Sequence, residues 1–196
     1  MAEVELPNPE ELEEKRDTVF SRRVALITAI YAVILAIASL GGNNAMKEML
    51  LAQQETTNQW AYYQAKVVRE HINRANRMLM ETHLAEPSAL KGPERAKFEA
   101  LAAKFGDEEK RMAADKKEIE KDAQKFATVR DINQSKDPYF DYAEVMLQIA
   151  IVLASVSILS TSRAMFWCST VLAITGVLLT INGFFLLVKV PFLHGH

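Results

Sequence analysis

Few side chains in this sequence have the chemistry that catalysis or metal binding requires, and they are scattered. Cys168 is the single cysteine, and it lies in an uncharged apolar segment where a thiol is expected to fill space. His71 and His83 are not at metal-ligand spacing, and the tail adds only His194 and His196. With no glycine-rich phosphate loop and no nucleophile elbow, we predict no catalytic residue, cofactor or metal, and hence no enzyme.

The charge pattern argues against nucleic acid as a partner. The formal net charge is −2, and residues 43–142 hold 17 basic and 17 acidic side chains. Binding to a phosphate backbone needs a basic excess, and this chain has none. No motif indicates a small-molecule substrate either.

Three long apolar segments are the strongest feature of the chain. Residues 22–42 open with two arginines and then run apolar, residues 138–162 are uncharged after Glu144, and residues 164–188 carry no charge. Each is long enough to cross about 30 Å of hydrocarbon at 1.5 Å per residue. We therefore predict three transmembrane helices, with the lipid bilayer as a partner.

The first apolar segment also has features of a cleavable secretory signal. Its arginines form a positive flank, and Ala36-Ile37-Ala38 resembles a cleavage site. However, an acidic stretch precedes the arginines, and the apolar run 24–40 is longer than a signal core. We interpret the segment as an anchor that stays.

These segments predict an all-α membrane protein with a long antiparallel helical hairpin, similar to a coiled coil, between the first and second transmembrane helices. The hairpin turn is expected near residues 86–93, where two prolines and a glycine cluster. The predicted parts are an acidic segment with a short helix (1–21), transmembrane helix 1 (22–42), the extramembrane hairpin (43–137), transmembrane helix 2 (138–162), transmembrane helix 3 (164–188) and a short tail (189–196).

A seven-residue repeat is the basis of the hairpin prediction. Phe98, Phe105, Met112, Ile119 and Phe126 follow one another at intervals of seven, which is the spacing of a helix packed along another helix. Antiparallel pairing with residues 43–85 brings together residues whose numbers have a nearly constant sum. The predicted seam comprises Leu50, Trp60, Val67, Ile72, Leu79, Phe98, Phe105, Met112, Ile119 and Val129.

The first hairpin helix has more apolar surface than the predicted seam would bury. Trp60, Tyr62, Tyr63 and Val68 form the candidate interaction surface, because aromatic side chains are frequent in binding hot spots. Two interpretations stay open. Either such residues are tolerated on a soluble surface, or they mediate self-association or contact with another membrane protein.

Two amides inside the apolar segments predict one specific contact. Gln148 and Asn182 fall at similar depths, so we predict that they hydrogen-bond to each other or share Thr180. A transporter or channel component with an oligomeric pore is the alternative function, although the spans lack interior ionisable groups. The pore would be lined by Ser155, Ser157, Thr175 and Thr180.

Basic residues near the ends of the apolar segments favour one orientation. Lys15, Arg16, Arg22 and Arg23 precede the first segment, and Arg163 separates the last two. The other ends have fewer cations close by. By the positive-inside rule, we predict a cytoplasmic N-terminus and a periplasmic hairpin.

The chain also resembles a known family. The stretch SRRVALITAIYAVILAIASLGGNNAMKEMLLAQQ, the NQWAYYQAK after it and the C-terminal pair of apolar segments are similar to a bacterial membrane-protein family known only as a domain of unknown function, numbered four-three-three-seven. This resemblance implies a bacterial membrane location, three spans and no known activity. Together with the residues, it predicts a non-catalytic structural or interaction module, acting as a homo-oligomer or an accessory subunit in the bacterial inner membrane.

Overall fold

The computed structural model describes residues 9–86 and 91–189, with side chains from residue 13 onward. It consists of three helices, α1 (Pro9–Ala85), α2 (Gly92–Leu159) and α3 (Arg163–Phe185). Each contains a stretch that is long and apolar enough to cross a membrane, judged by length and composition. The all-helical class and the three candidate spans are therefore confirmed.

The helices run without a break across several of the predicted boundaries. α1 is one helix of 77 residues that contains the predicted transmembrane helix 1, and α2 continues for 68 residues through Pro138. α3 ends at Phe185, three residues earlier than predicted, because Leu186 turns into the left-handed region with φ 49°. The N–H of Leu186 donates to the Asn182 carbonyl at 2.7 Å, which satisfies a terminal acceptor of the helix.

The chain divides into two compact units. Unit 1 comprises Met1–Glu48 and Ile132–His196, and unit 2 comprises Met49–Asp131. Unit 1 thus contains the three apolar stretches, whereas unit 2 contains most of the predicted hairpin. α1 and α2 each contribute residues to both units.

Small side chains form most of the core of unit 1. The buried residues of α3 recur at intervals of four and three, and α2 and α1 contribute further fully buried small residues to this core. Such side chains let helices approach closely, which is how helices associate where lipid supplies no hydrophobic driving force. These residues are Ser169, Ala173, Gly176, Thr180 and Gly183 on α3, Ala143, Ala150 and Ala154 on α2, and Ala38 on α1.

One aromatic ring occupies the space that two glycines leave. An ideal Cβ on Gly41 would lie 2.5 Å from Cε1 of Phe140, and one on Gly183 would lie 2.9 Å from its Cζ. The Phe140 ring is 1 % exposed and packs edge-on against Phe184, with centroids 5.0 Å apart. Both glycines are therefore required by the close approach of this ring.

Hydrogen bonds between helices supplement this packing. The Ser169 hydroxyl on α3 donates to the Ala150 carbonyl on α2 at 2.7 Å, and both groups are buried. The Tyr31 hydroxyl on α1 donates to Thr170 Oγ1 at 3.3 Å. In an apolar environment each such bond satisfies a polar group that would otherwise destabilise the packed state.

We expect Gly183→Leu to destabilise unit 1, because the new side chain cannot occupy the same space as Phe140. Overpacking of this kind costs about 1–3 kcal/mol. Thermal unfolding of the detergent-solubilised protein, followed by circular dichroism, should show a lower midpoint. Gly92→Leu is the matched control, since nothing lies within 4 Å of a Cβ at that position. Equal midpoints for the two variants would contradict the packing described.

Candidate interaction site

Unit 2 packs α1 and α2 closely through small and polar side chains on α1. The buried residues there are Ala52, Thr56, Lys66 and Glu70. Together with the partly buried Gln59 and Tyr63, they recur at intervals of three and four along one face of α1, so they form a continuous seam. On α2 the buried residues of unit 2 are Gly106, Met112, Ile119 and Ala123.

Ion pairs cross this seam. The Lys66 ammonium donates to Asp115 Oδ2 at 2.6 Å, and Arg74 Nε donates to Glu109 Oε1 at 2.7 Å. Glu70 on α1 pairs with Lys116 of α2, and its side chain is only 9 % exposed. Charged side chains that are nearly buried need such partners, so the two helices depend on each other for these charges.

The same contacts change the acidity of the seam carboxyls. The hydrogen bond from Lys66 holds the pKa of Asp115 below its ordinary value, although desolvation acts in the opposite direction. The hydrogen bond from Arg74 likewise lowers the pKa of Glu109, with a further contribution from the charge of Arg77. Asp115 in turn raises the pKa of Lys66 through their hydrogen bond.

Four of the five predicted seam residues of α2 are buried or partly buried. Met112 and Ile119 are 6 % and 7 % exposed, and Phe98 and Phe105 are partly buried. Phe98 packs edge-on against His83 of α1, with ring centroids 5.7 Å apart. Val129 is the exception on this helix, because it is 38 % exposed.

The predicted seam residues of α1 are placed differently. Leu50, Ile72 and Leu79 are more than half exposed, Trp60 is 38 % exposed, and only Val67 is partly buried. The prediction assumed that α1 would turn its largest apolar side chains toward α2. In the structure the charged residues occupy that face, because α2 supplies opposite charges at matching heights.

Six apolar residues of α1 instead form a second row on the opposite face. We call Ala61, Ala65, Val68, Ile72, Ala75 and Leu79 the outer stripe. Each lies two residues after a position on the face toward α2, which is about 200° around a helix of 3.6 residues per turn. All six are exposed, and Val68, Ile72 and Leu79 are 56 %, 54 % and 52 % exposed.

The four residues of the candidate interaction surface fall on different sides of α1. Val68 belongs to the outer stripe, and Tyr62 lies next to it with 51 % exposure. Tyr63 is partly buried toward α2, where the Lys116 ammonium lies 5.8 Å from its ring centroid. Trp60 packs edge-on against Tyr63, with ring centroids 5.5 Å apart. Hence only Val68 lies on the outer stripe, whereas Tyr62 lies at the side of α1, with the Lys66 ammonium 5.3 Å from its ring centroid.

The two amides in unit 1 are not brought together. The Asn182 amide donates to the Val188 carbonyl at 2.8 Å, and its oxygen accepts from the Val188 N–H at 2.9 Å. Thr180 donates to Gly176, and Gln148 lies on the exposed side of α2. Asn182 thus caps the end of α3, where backbone groups are left without helical partners.

The hydroxyls of the alternative pore bond within their own helices. Ser155, Ser157, Thr175 and Thr180 each donate to a carbonyl three or four residues earlier, and Ser155 and Thr175 are exposed. Within residues 9–86 and 91–189, no group of three or more His, Cys, Asp or Glu residues could hold a metal ion. Cys168 lies exposed on α3.

We expect acid to weaken unit 2 through Asp115 and Glu109. Because the folded-state pKa of each lies below its unfolded-state value, both stabilise the fold above about pH 4, and this contribution is lost as the pH falls through the folded-state value. The double variant Asp115→Asn/Glu109→Gln should have a lower unfolding midpoint at pH 7 and a smaller further loss at pH 3. Thermal scans at both pH values test this.

The matched control for the acid experiment is Glu99→Gln/Asp122→Asn. It removes two carboxylates from the exposed surface of α2. This variant should keep the acid sensitivity of the parent. If both double variants respond to pH alike, the seam ion pairs do not stabilise unit 2.

Comparison with known proteins gives one result. No curated protein and no solved structure matches the chain. The family described as Domain of unknown function (DUF4337) matches residues 20–186, which include most of α1, all of α2 and all of α3. The chain therefore belongs to the DUF4337 family.

Proposed function

We propose that this chain is a non-catalytic integral membrane protein in which unit 1 spans the bilayer three times and unit 2 joins two copies through the outer stripe. The observation that carries the proposal is the reversed distribution of side chains on α1. Its charged residues face α2, whereas its uncharged row of Ala61, Ala65, Val68, Ile72, Ala75 and Leu79 faces outward. A soluble helical pair without a further partner would expose this row to water.

The spacing of the outer stripe suits a second helix. Its members follow one another at intervals of four and three, which is the heptad pattern of a coiled-coil seam. None of the six is charged, and the three alanines allow a close approach of two backbones. The row is therefore better suited to a packed helix than to water.

Membrane insertion makes a second copy of α1 the best partner. Copies inserted with the same orientation present parallel α1 helices, so each stripe residue meets its own counterpart across a two-fold axis. This symmetry matches the uncharged character of the stripe, since like charges would repel each other at such an axis. We therefore infer a parallel homodimer.

Within each copy, we infer that α1 and α2 of unit 2 form an antiparallel hairpin. The contacts that support this inference pair residues progressively later in α1 with residues progressively earlier in α2. Gln53 accepts a hydrogen bond from Arg130, Lys66 donates to Asp115, and His83 packs against Phe98. The first helix of this hairpin follows one apolar segment, and its second helix leads into another. The chain therefore leaves the membrane where the hairpin begins and returns to it where the hairpin ends.

For location, we propose the bacterial inner membrane, with a cytoplasmic N-terminus and unit 2 in the periplasm. Arg22 and Arg23 directly precede the apolar stretch of α1, and Arg163 is the first residue of α3. Retention of such cations in the cytoplasm is the usual determinant of orientation.

We expect Ile72→Glu to separate the dimer, because it places two carboxylates next to each other in the centre of the stripe. Light scattering of the purified protein in mild detergent should give twice the chain mass of 22.0 kDa for the parent. The variant should give one chain mass. Leu101→Glu is the control, since Leu101 is an exposed apolar residue of α2 outside the stripe, and it should remain dimeric.

A cysteine at position 72 tests the same contact without disrupting it. In a Cys168→Ser background, Ile72→Cys should form a disulfide between chains under mild oxidation, whereas Leu101→Cys should not. A monomeric parent, or equal cross-linking at both positions, would contradict the proposed dimer.

The orientation is tested by labelling from outside the membrane. With Cys168 replaced by serine, Lys91→Cys in unit 2 should react with a membrane-impermeant maleimide in intact spheroplasts. Thr18→Cys, which precedes the first apolar stretch, should react only after lysis. The reverse pattern would overturn the proposed topology.

A further inference from the structure

We propose that unit 1 holds an anionic glycerophospholipid in a groove between α1 and α3. The inference rests on the proposed membrane insertion of unit 1, and it adds a ligand that the dimer does not require. The groove has a volume of about 730 Å³ and lies where α1 enters its apolar stretch and α3 begins. We call it the basic groove, after Lys15, Arg16, Arg23 and Arg163 in its lining.

The charge of the groove is of one sign. Its lining includes these four cations and no carboxylate. Within the described part of the chain, none of the four has an acidic side chain within ion-pairing distance. Four cations around one concave surface attract a phosphate group, and arginine can bind its oxygens in a bidentate manner.

The rest of the groove is apolar. The rings of Phe20 and Phe166 pack edge-on with centroids 6.0 Å apart, and Val24 and Ile27 continue the surface along α1. Trp167 also lines the groove and is 66 % exposed. An acyl chain would cover this surface, whereas inorganic phosphate would leave it bare.

The position of the cations along the chain fits a lipid headgroup. Arg23 directly precedes the apolar run 24–40, and Arg163 directly precedes the uncharged segment that forms α3. In the proposed membrane both arginines lie at the boundary between water and hydrocarbon, where phosphate groups are found. An exposed tryptophan at this boundary is typical of membrane proteins.

Tryptophan quenching by brominated lipid tests the inference directly. The chain has two tryptophans, so Trp60→Phe leaves Trp167 in the groove as the single fluorophore. In phosphatidylcholine vesicles, a small fraction of dibrominated phosphatidylglycerol should quench Trp167 more strongly than the same fraction of dibrominated phosphatidylcholine. Light scattering of the same Trp60→Phe protein in mild detergent reports the dimer, so that failure of one proposal is distinguishable from failure of the other.

The variant Arg23→Gln/Arg163→Gln should abolish this preference. Each cation near a membrane surface contributes about fivefold to association with an anionic lipid, so the relative association constant should fall by on the order of tenfold or more. Lys47→Gln/Lys189→Gln is the matched control, because it removes two exposed cations of unit 1 that lie outside the groove. It should keep the preference of the parent.

Three outcomes would overturn the proposal. The first is equal quenching of the parent by both brominated lipids. The second is an equal loss of preference in the two double variants, which would mean that overall charge acts rather than the groove. The third is loss of the preference on adding inorganic phosphate but not sodium chloride of equal ionic strength, which would identify free phosphate as the ligand.

Discussion

The arrangement of unit 2 depends on one constraint, which is that the charged side chains on the α2-facing side of α1 must be paired. Lys66 and Glu70 are almost fully buried and have their partners, Asp115 and Lys116, on α2. Rotating α1 to bury its large apolar residues would turn these charges away from their partners. The ion pairs therefore fix the rotation of α1, and as a consequence the outer stripe is directed away from α2.

Unit 1 follows a different rule, because small residues rather than charges determine how closely its helices approach. Gly41 and Gly183 leave room for the ring of Phe140, and Gly176 leaves room for Leu147. A short hydrogen bond from Ser169 to Ala150 joins α2 and α3 in the same way. The two units thus achieve close helix packing by different means, which are small residues in unit 1 and paired charges in unit 2.

Composition and periodicity were sufficient to predict the helical class and the three candidate spans. The repeat through Met112 and Ile119 is a clear signal, because apolar residues there alternate with charges. The face of α1 was not predictable from hydrophobicity alone, since the helix has apolar residues on its outer side and charges toward its partner. Charge complementarity between Lys66 or Glu70 and the acids and lysines of α2 was the available signal. The bond of Asn182 to Val188 depends on the exact end of α3, which the sequence does not define.

The central claim is that the outer stripe of one copy meets the outer stripe of a second copy, and a distance between two copies tests it most directly. A nitroxide label at Thr82→Cys, in a Cys168→Ser background, lies just beyond Leu79 and outside the stripe. Pulsed electron paramagnetic resonance in lipid nanodiscs should give one distinct distance between the nitroxides of two copies. Dilution with unlabelled protein should remove this dipolar signal. Absence of any intermolecular coupling in undiluted protein would contradict the account.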